Sequence, residues 1–273
     1  SAADGRLVWK RRIAPAERTV IGGGRLISKW PVRGGPVVDD GVVYAGAGLW
    51  PADGTYLAAL EVKTGKEVWA NSSCGSQKRV NPHTYQPMDT GFGFQGPLAV
   101  TRESVMAPTG RENYRAFDRK TGEFRSSGAM GRAGSALAVV DSLIHCGGGS
   151  FDAQTGKAVN RDVGARSMAA SPDWIVQGTP TAVAFTARGA GTARKPSIGI
   201  TGRAGGAALI VAGRRAYSAG GSQLAVVDLD AGKVAWSTKL DSPIRGLAAS
   251  GGRLFVSTED GRIHCCSEAG GGK

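Results

Sequence analysis

The segment Ala59-Leu60-Glu61-Val62-Lys63-Thr64-Gly65-Lys66-Glu67-Val68-Trp69 carries the key to this chain. An alternating run from Tyr56 to Leu60 leads into Thr64-Gly65, and a second short run ends on Trp69, which is the layout of a β-hairpin. Gly65 can take the positive φ that closes such a turn, and Glu61, four residues earlier, is placed to accept hydrogen bonds from the turn amides. The device recurs at Asp118-Arg119-Lys120-Thr121-Gly122-Glu123, at Asp152-Ala153-Gln154-Thr155-Gly156-Lys157 and at Asp228-Leu229-Asp230-Ala231-Gly232-Lys233, the last again closing on a tryptophan, Trp236. The spacing of the turn glycines fits a propeller-blade period of roughly 40 residues, with two units lengthened by insertions.

Toward the N-terminus, Asp4-Gly5-Arg6-Leu7-Val8-Trp9 reads as the second half of the same hairpin, with Gly5 and Trp9 in the places of Gly65 and Trp69. Arg262 to Gly270 reads as a strand and turn whose closing strand is missing. The two halves complement each other, so residues 1–9 are expected to supply a blade-closing strand to the last blade; a cut through a longer propeller explains the same ends. Blades are expected at about 31–70, 91–127, 131–160, 165–190, 205–240 and 242–273, within one domain over 1–273. The fourth blade has no convincing last strand, because the chain after Phe185 dissolves into a Gly/Arg stretch. Residues 10–30, with a short strand at Arg25 to Ser28, residues 71–95 and residues 186–205 read as insertions, and such loops on a repeat scaffold are where binding sites gather. Short strands between Gly/Asp turns, with no helical period, make this an all-β propeller of four-stranded antiparallel blades, about six in this chain, or part of a seven- or eight-bladed ring.

Composition narrows the function. No apolar run approaches the roughly 20 residues that span a bilayer, and no secretory signal is visible at Ser1. The four cysteines form no C-x-x-C pair and the three histidines are scattered, which disfavours zinc and c-type haem. A net charge of +12 suits polyanionic partners, although no aromatic-interleaved basic stripe marks specific nucleic-acid binding.

The pattern Ala-x-Asp-x-x-Thr-Gly-Lys-x-x-Trp resembles the tryptophan-docking repeat of the pyrroloquinoline-quinone-like β-propellers. Ala59, Glu61, Thr64, Gly65, Lys66 and Trp69 match it with Glu for Asp; Ala116, Asp118, Thr121 and Gly122 match without the tryptophan; Asp228, Gly232, Lys233 and Trp236 match with Ala231 for Thr. The resemblance implies that the tryptophans pack between neighbouring blades. The family includes quinoprotein alcohol dehydrogenases, the propeller lipoprotein of the outer-membrane β-barrel assembly machinery, and bacterial extracytoplasmic proteins without known activity. The stretch from Gly24 through Trp30-Pro31 to Trp50-Pro51 is similar to multi-domain versions of that last group.

Two functional readings follow. In the first, the protein is a non-catalytic binding or scaffold module, extracytoplasmic (periplasmic or cell-surface), taking a protein partner or anionic ligand on its face loops. The candidate contacts are Arg11, Arg12, Arg18, Lys78, Arg79, His83, Tyr85, Arg188, Arg194 and Lys195. Repeat positions explain Trp9, Asp118, Asp152, Gly156, Asp228 and their counterparts without any catalytic role. In the second, the chain is a quinone-dependent oxidoreductase or a degenerate relative of one; the resemblance would then place pyrroloquinoline quinone near an adjacent-cysteine pair such as Cys265-Cys266, with Ca²⁺ held by carboxylates. Adjacent strand residues point to opposite faces, which makes two ordinary strand cysteines the simpler reading.

Overall fold

The computed structural model describes residues 6–75, 77–80, 84–110, 114–127, 137–140, 142–146, 149–153, 155–161, 167–179, 181–188, 197–200 and 208–267. The chain forms two compact units, Ser1–Gly147 with Phe151–Val159, and Gly148–Ser150 with Asn160–Lys273.

The first unit opens with a hairpin, β1 (Thr19–Gly22) and β2 (Arg25–Ser28). Its first blade is β3 (Val37–Asp39), β4 (Val42–Ala47), β5 (Tyr56–Glu61) and β6 (Glu67–Asn71), paired in chain order. A second hairpin, β7 (Gln77–Val80) and β8 (Pro87–Thr90), precedes the next blade, β9 (Ala99–Val100) to β10 (Ser104–Ala107), β11 (Arg115–Asp118) and β12 (Phe124–Ser127). A further sheet, part of whose β15 and β16 belongs to the second unit, runs β13 (Leu137–Val140), β14 (Leu143–Cys146), β15 (Gly149–Asp152) and β16 (Ala158–Arg161). The opening strand β9 neighbours both β3 and β13, so the three meanders are stacked face to face with the β9–β12 blade in the middle.

The second unit repeats the plan. It contains β17 (Ser167–Ala170), β18 (Trp174–Thr179), β19 (Ala182–Ala187) and β20 (Ser197–Gly199), then β21 (Ala208–Ala212), β22 (Arg215–Gly220), β23 (Gln223–Asp228) and β24 (Lys233–Lys239), and last β25 (Ile244–Ser250), β26 (Arg253–Thr258) and β27 (Ile263–Ser267). Here β21 neighbours both β17 and β25. Strands within the blades run antiparallel, as in β4–β5, β21–β22 and β22–β23, and the described residues hold no α-helix, only a 3-10 turn at Pro51–Asp53. The fold is therefore the all-β, blade-built architecture expected, with five four-stranded sheets and one three-stranded sheet of blade type among the described residues.

Four details differ from expectation. β1 gives the 25–28 strand a partner, with Val20 opposite Ile27 and Ile21 opposite Leu26. The 71–95 insertion contains the β7–β8 pair and then delivers Phe92 and Phe94 into the core beside Leu57, Val105 and Phe117. The glycines flanking Phe92 allow this entry, since a Cβ on Gly91 would fall 1.5 Å from the Gly75 carbonyl oxygen and one on Gly93 2.0 Å from that of Leu49. The fourth blade does have a last strand, β20, whose Gly199, Ile198 and Ser197 face Ala182, Val183 and Ala184; its polar, serine- and glycine-containing sequence hides it. Finally, of residues 1–9, expected as a blade-closing strand, residues 6–9 lie in no strand and residues 1–5 lie outside the described residues, and β25–β26–β27 has no fourth strand among the described residues.

The repeated turn is built alike each time. Gly65, Gly122, Gly156 and Gly232 all have positive φ and donate their amides to Glu61, Asp118, Asp152 and Asp228 carbonyls at 2.8 to 2.9 Å. Beyond the turn, the third and fourth strands of three blades carry a register shift at one equivalent place: Val68, Arg125 and Ala235 are each passed over in the pairing of β5–β6, β11–β12 and β23–β24.

Tryptophan docking turns two of these glycines from permissive into obligatory. A Cβ on Gly122 would lie 2.4 Å from Trp69 Cε3, and one on Gly65 2.6 Å from Trp9 Cδ2. Gly122→Ala is expected to destabilise the protein by about 3 kcal/mol or more, against about 1 kcal/mol for Gly213→Ala, where only the backbone conformation is strained. Gly213 has φ +58 and nothing within 4 Å of a built Cβ. Urea midpoints of the two variants check this; equal losses would show that the tryptophan does not hold Gly122 in place.

Candidate functional site

The carboxylates of the repeat are committed to their turns. Asp118 Oδ1 accepts from the Lys120 and Thr121 amides at 2.8 and 3.0 Å, Asp152 Oδ1 from Thr155 N at 2.7 Å and its hydroxyl at 2.8 Å, and Asp228 Oδ1 from Ala231 and Asp230 amides at 2.8 and 3.0 Å. Glu61, one methylene longer, takes the Thr64 hydroxyl at 2.5 Å. The backbone donors stabilise the ionised form, Lys120 N–H above all at Asp118 and Ala231 N–H at Asp228, and hold both carboxyls below the usual carboxylate range. Because the folded values are depressed, this contribution is present above the ordinary value of 3.8 and disappears as pH falls through the lower folded values. Stability should therefore drop as the protein is acidified below 3.8, and the paired Asp118→Ala, Asp228→Ala variant should show a shallower drop, read as urea midpoint against pH.

Each docked tryptophan joins a turn through its indole. Trp9 Nε1 donates to Val62 O and Trp69 Nε1 to Arg119 O, both at 2.9 Å, and these carbonyls occupy the same place in their turns, one residue after Glu61 and Asp118. Arg119 then ties neighbouring blades: Nε donates to the Tyr44 hydroxyl at 3.1 Å, Nη1 to Thr101 O at 3.1 Å, and Nη2 pairs with Asp39 at 2.7 Å. Asn71 Nδ2 adds a bond to Gly122 O at 2.6 Å. Trp236 departs from the expected packing: it stays 44% exposed in β24.

Trp236 instead floors a groove of about 840 Å³ between the β21–β24 and β25–β27 sheets, with Tyr217, Arg215, Arg253, Leu254 and Cys266 around it. Aromatic and aliphatic walls with two guanidinium groups suit an anionic ligand with an apolar part. The sequence marks only Trp236 and Cys266 of this set, because Arg215 and Tyr217 in β22 and Arg253 in β26 are ordinary strand residues until the two sheets bring them together.

Arg11 pairs with Glu67 at 3.2 Å and Arg12 with Glu17 at 2.7 Å, while Arg18 carries the root of the β1–β2 hairpin through its carbonyl, which accepts from Lys29 N at 2.8 Å. Lys78 and Arg79 sit in β7, opposite Asp89 and Met88. Tyr85 is 79% exposed at φ +57, and Arg188 Nη1 bonds to Pro172 O at 2.9 Å. His83, Arg194 and Lys195 lie outside the described residues.

Cys265 and Cys266 are thiols, opposite Phe255 and Leu254 in the β26–β27 ladder; Cys265 is exposed and Cys266 half-buried against the Leu254 cluster. Burial pushes the thiols of Cys74 and Cys146 up to about 11 and about 12. Titration with a thiol reagent at neutral pH should therefore modify Cys265 at once and spare Cys74 and Cys146 until the protein is unfolded. Rapid labelling of Cys74 or Cys146 in the folded protein would refute their burial. Among the described residues, no group of three His, Cys, Asp or Glu gathers at metal-holding distance.

Stacked four-stranded meanders with tryptophans docked on Gly turns define a blade-repeat protein of the propeller class. The family model described as outer membrane protein assembly factor BamB matches residues 1–143 and 149–271, and the chain belongs to that family. No curated protein matches it. Among solved structures, it is similar to the computationally designed Ika8 protein, at 14% identity and a TM-score of 0.61 over 91% of this chain and 95% of that one. It is also similar to BamB from Moraxella catarrhalis, at 14% identity and a TM-score of 0.53 over 85% of this chain and 84% of that one. At such identities these likenesses establish the fold. No helix among the described residues is long and apolar enough to cross a membrane.

Proposed function

We propose that this protein is a non-catalytic binding or scaffold module that engages a protein partner or an anionic ligand through elements inserted into its blades, and that it works outside the cytoplasm. One observation carries the reading: the repeat carboxylates that could serve as bases or metal ligands are consumed by turn amides, whereas the β1–β2 and β7–β8 hairpins pair with no blade strand among the described residues. The family's description as an outer membrane assembly factor supports an extracytoplasmic, protein-binding role.

The alternative is quinone chemistry at Cys265-Cys266. Its residues point to opposite faces of β27, so that one thiol meets solvent and the other the groove. Adding pyrroloquinoline quinone and Ca²⁺ distinguishes the two. The scaffold reading expects neither a bound-quinone absorbance nor dye-linked alcohol oxidation, and it expects photo-crosslinkers at Arg18 and Tyr85 to form discrete adducts in cells while those at the repeat turns, Lys63 and Lys120, form none. Stoichiometric quinone binding with turnover would overturn it.

A further inference from the structure

The β1–β2 hairpin combines a firm root with an unsatisfied surface. At its root, Lys29 Nζ pairs with Asp53 at 2.8 Å, and the buried Trp30 donates its indole N–H to Asp53 O at 2.6 Å while its ring meets Tyr56 edge-on at 6.0 Å. Beyond the root it is a two-stranded sheet of its own, a form that is marginal in water without further packing. Directly opposed residues share a face, so Ile21 and Leu26 lie on one side, 83% and 75% exposed, and Val20 and Ile27 on the other, half-exposed. Ile27 leans over Gly22, where a Cβ would fall 2.4 Å from its Cδ1. Both faces are thus apolar, and both meet solvent.

Within the segment the charge has one sign. From Arg18 to Lys29 there are three cations and no carboxylate, and Arg18 and Arg25 make no ion pair among the described residues. The tip, Gly22-Gly23-Gly24, offers no side chain to a shaped recognition site. A flat protein surface would cover one apolar pair and leave the other wet, whereas immersion in the interfacial layer of a bilayer covers both at once. Arg25, paired with Gly22 beside the tip, can extend its guanidinium to lipid phosphates while its methylene stem stays among apolar groups. A net charge of +12 adds long-range attraction to the same surface.

We propose that the Thr19–Ser28 hairpin is a peripheral membrane anchor that seats Ile21 and Leu26 in the interfacial layer of a bilayer bearing anionic phospholipid. Two large apolar side chains with two cations give weak, reversible attachment, of the order of the roughly 10⁴ M⁻¹ that a single acyl chain provides. The proposal goes beyond the scaffold reading and does not depend on it, since a quinone enzyme could carry the same anchor.

Flotation with phosphatidylcholine vesicles, with and without one-third phosphatidylglycerol, tests it on the whole protein. The protein should float with the anionic vesicles and not with pure phosphatidylcholine. Ile21→Ser with Leu26→Ser should lower the partition coefficient roughly tenfold or more, and Arg18→Gln with Arg25→Gln several-fold. All four side chains are exposed, so circular dichroism should be unchanged. Ile21→Trp should shift its emission to the blue on anionic vesicles. Failure of the protein to float, equal flotation of the Ile21/Leu26 variant, or binding without a blue shift would each overturn the anchor, the last two in favour of adsorption by the basic surface at large. Self-association in lipid-free buffer that vanishes in the Ile21/Leu26 variant would overturn it in favour of a contact between copies.

Discussion

The indole N–H of a tryptophan reaching a turn carbonyl in the next blade is the interaction on which the rest of the first unit depends. A blade is a small amphipathic sheet that cannot bury both faces alone, so each needs its neighbour. The docked ring supplies a large apolar area, and its single donor fixes orientation, because Val62 O and Arg119 O are otherwise solvent-side carbonyls of a tight turn. The turn glycine is the other half of the contact: its missing Cβ is the space the ring occupies. Glycine, acidic residue and tryptophan are thus one joint distributed over two blades.

Around that joint the polar groups form a consistent set. Arg119 contributes its carbonyl to Trp69 and its guanidinium to Tyr44, Thr101 and Asp39, so the backbone and side chain of one residue hold opposite sides of a single seam. Arg119 lies within the turn whose shape Asp118 stabilises, so the carboxylate that looks catalytic in isolation helps to place the arginine. The buried aromatic group of Phe92, Phe94 and Phe117 fills the space beneath.

The sequence displays this joint because it uses residues with few alternative purposes: a Gly that must take positive φ, an Asp that must accept, a Trp that must be covered. It conceals what depends on context. β7 and β8 contain Gln77-Lys78-Arg79-Val80 and Pro87-Met88-Asp89-Thr90, which show neither alternation nor β-branched enrichment, so their pairing is set by the clamped ends of the insertion. β20 is short and polar because it lies at the edge of its sheet. The groove over Trp236 is invisible because its lining comes from separate strands of two sheets, and the exposed hairpin near the N-terminus is half visible: its second strand is legible, while Thr19–Gly22 carries too little pattern to declare itself.

The passed-over residues Val68, Arg125 and Ala235 have a consequence for how such a protein can change. Each lies directly before the position of Trp69, Ser126 or Trp236, so the extra residue sets which side of the fourth strand that position faces. Loss of the Val68 codon would turn the docked Trp69 ring toward water and leave an empty slot over the Gly122 turn, although every other amino acid were kept. Drift in these repeats is thus tolerant of altered letters and intolerant of altered count within the outermost strand, which confines viable gains and losses of length to the connections between blades.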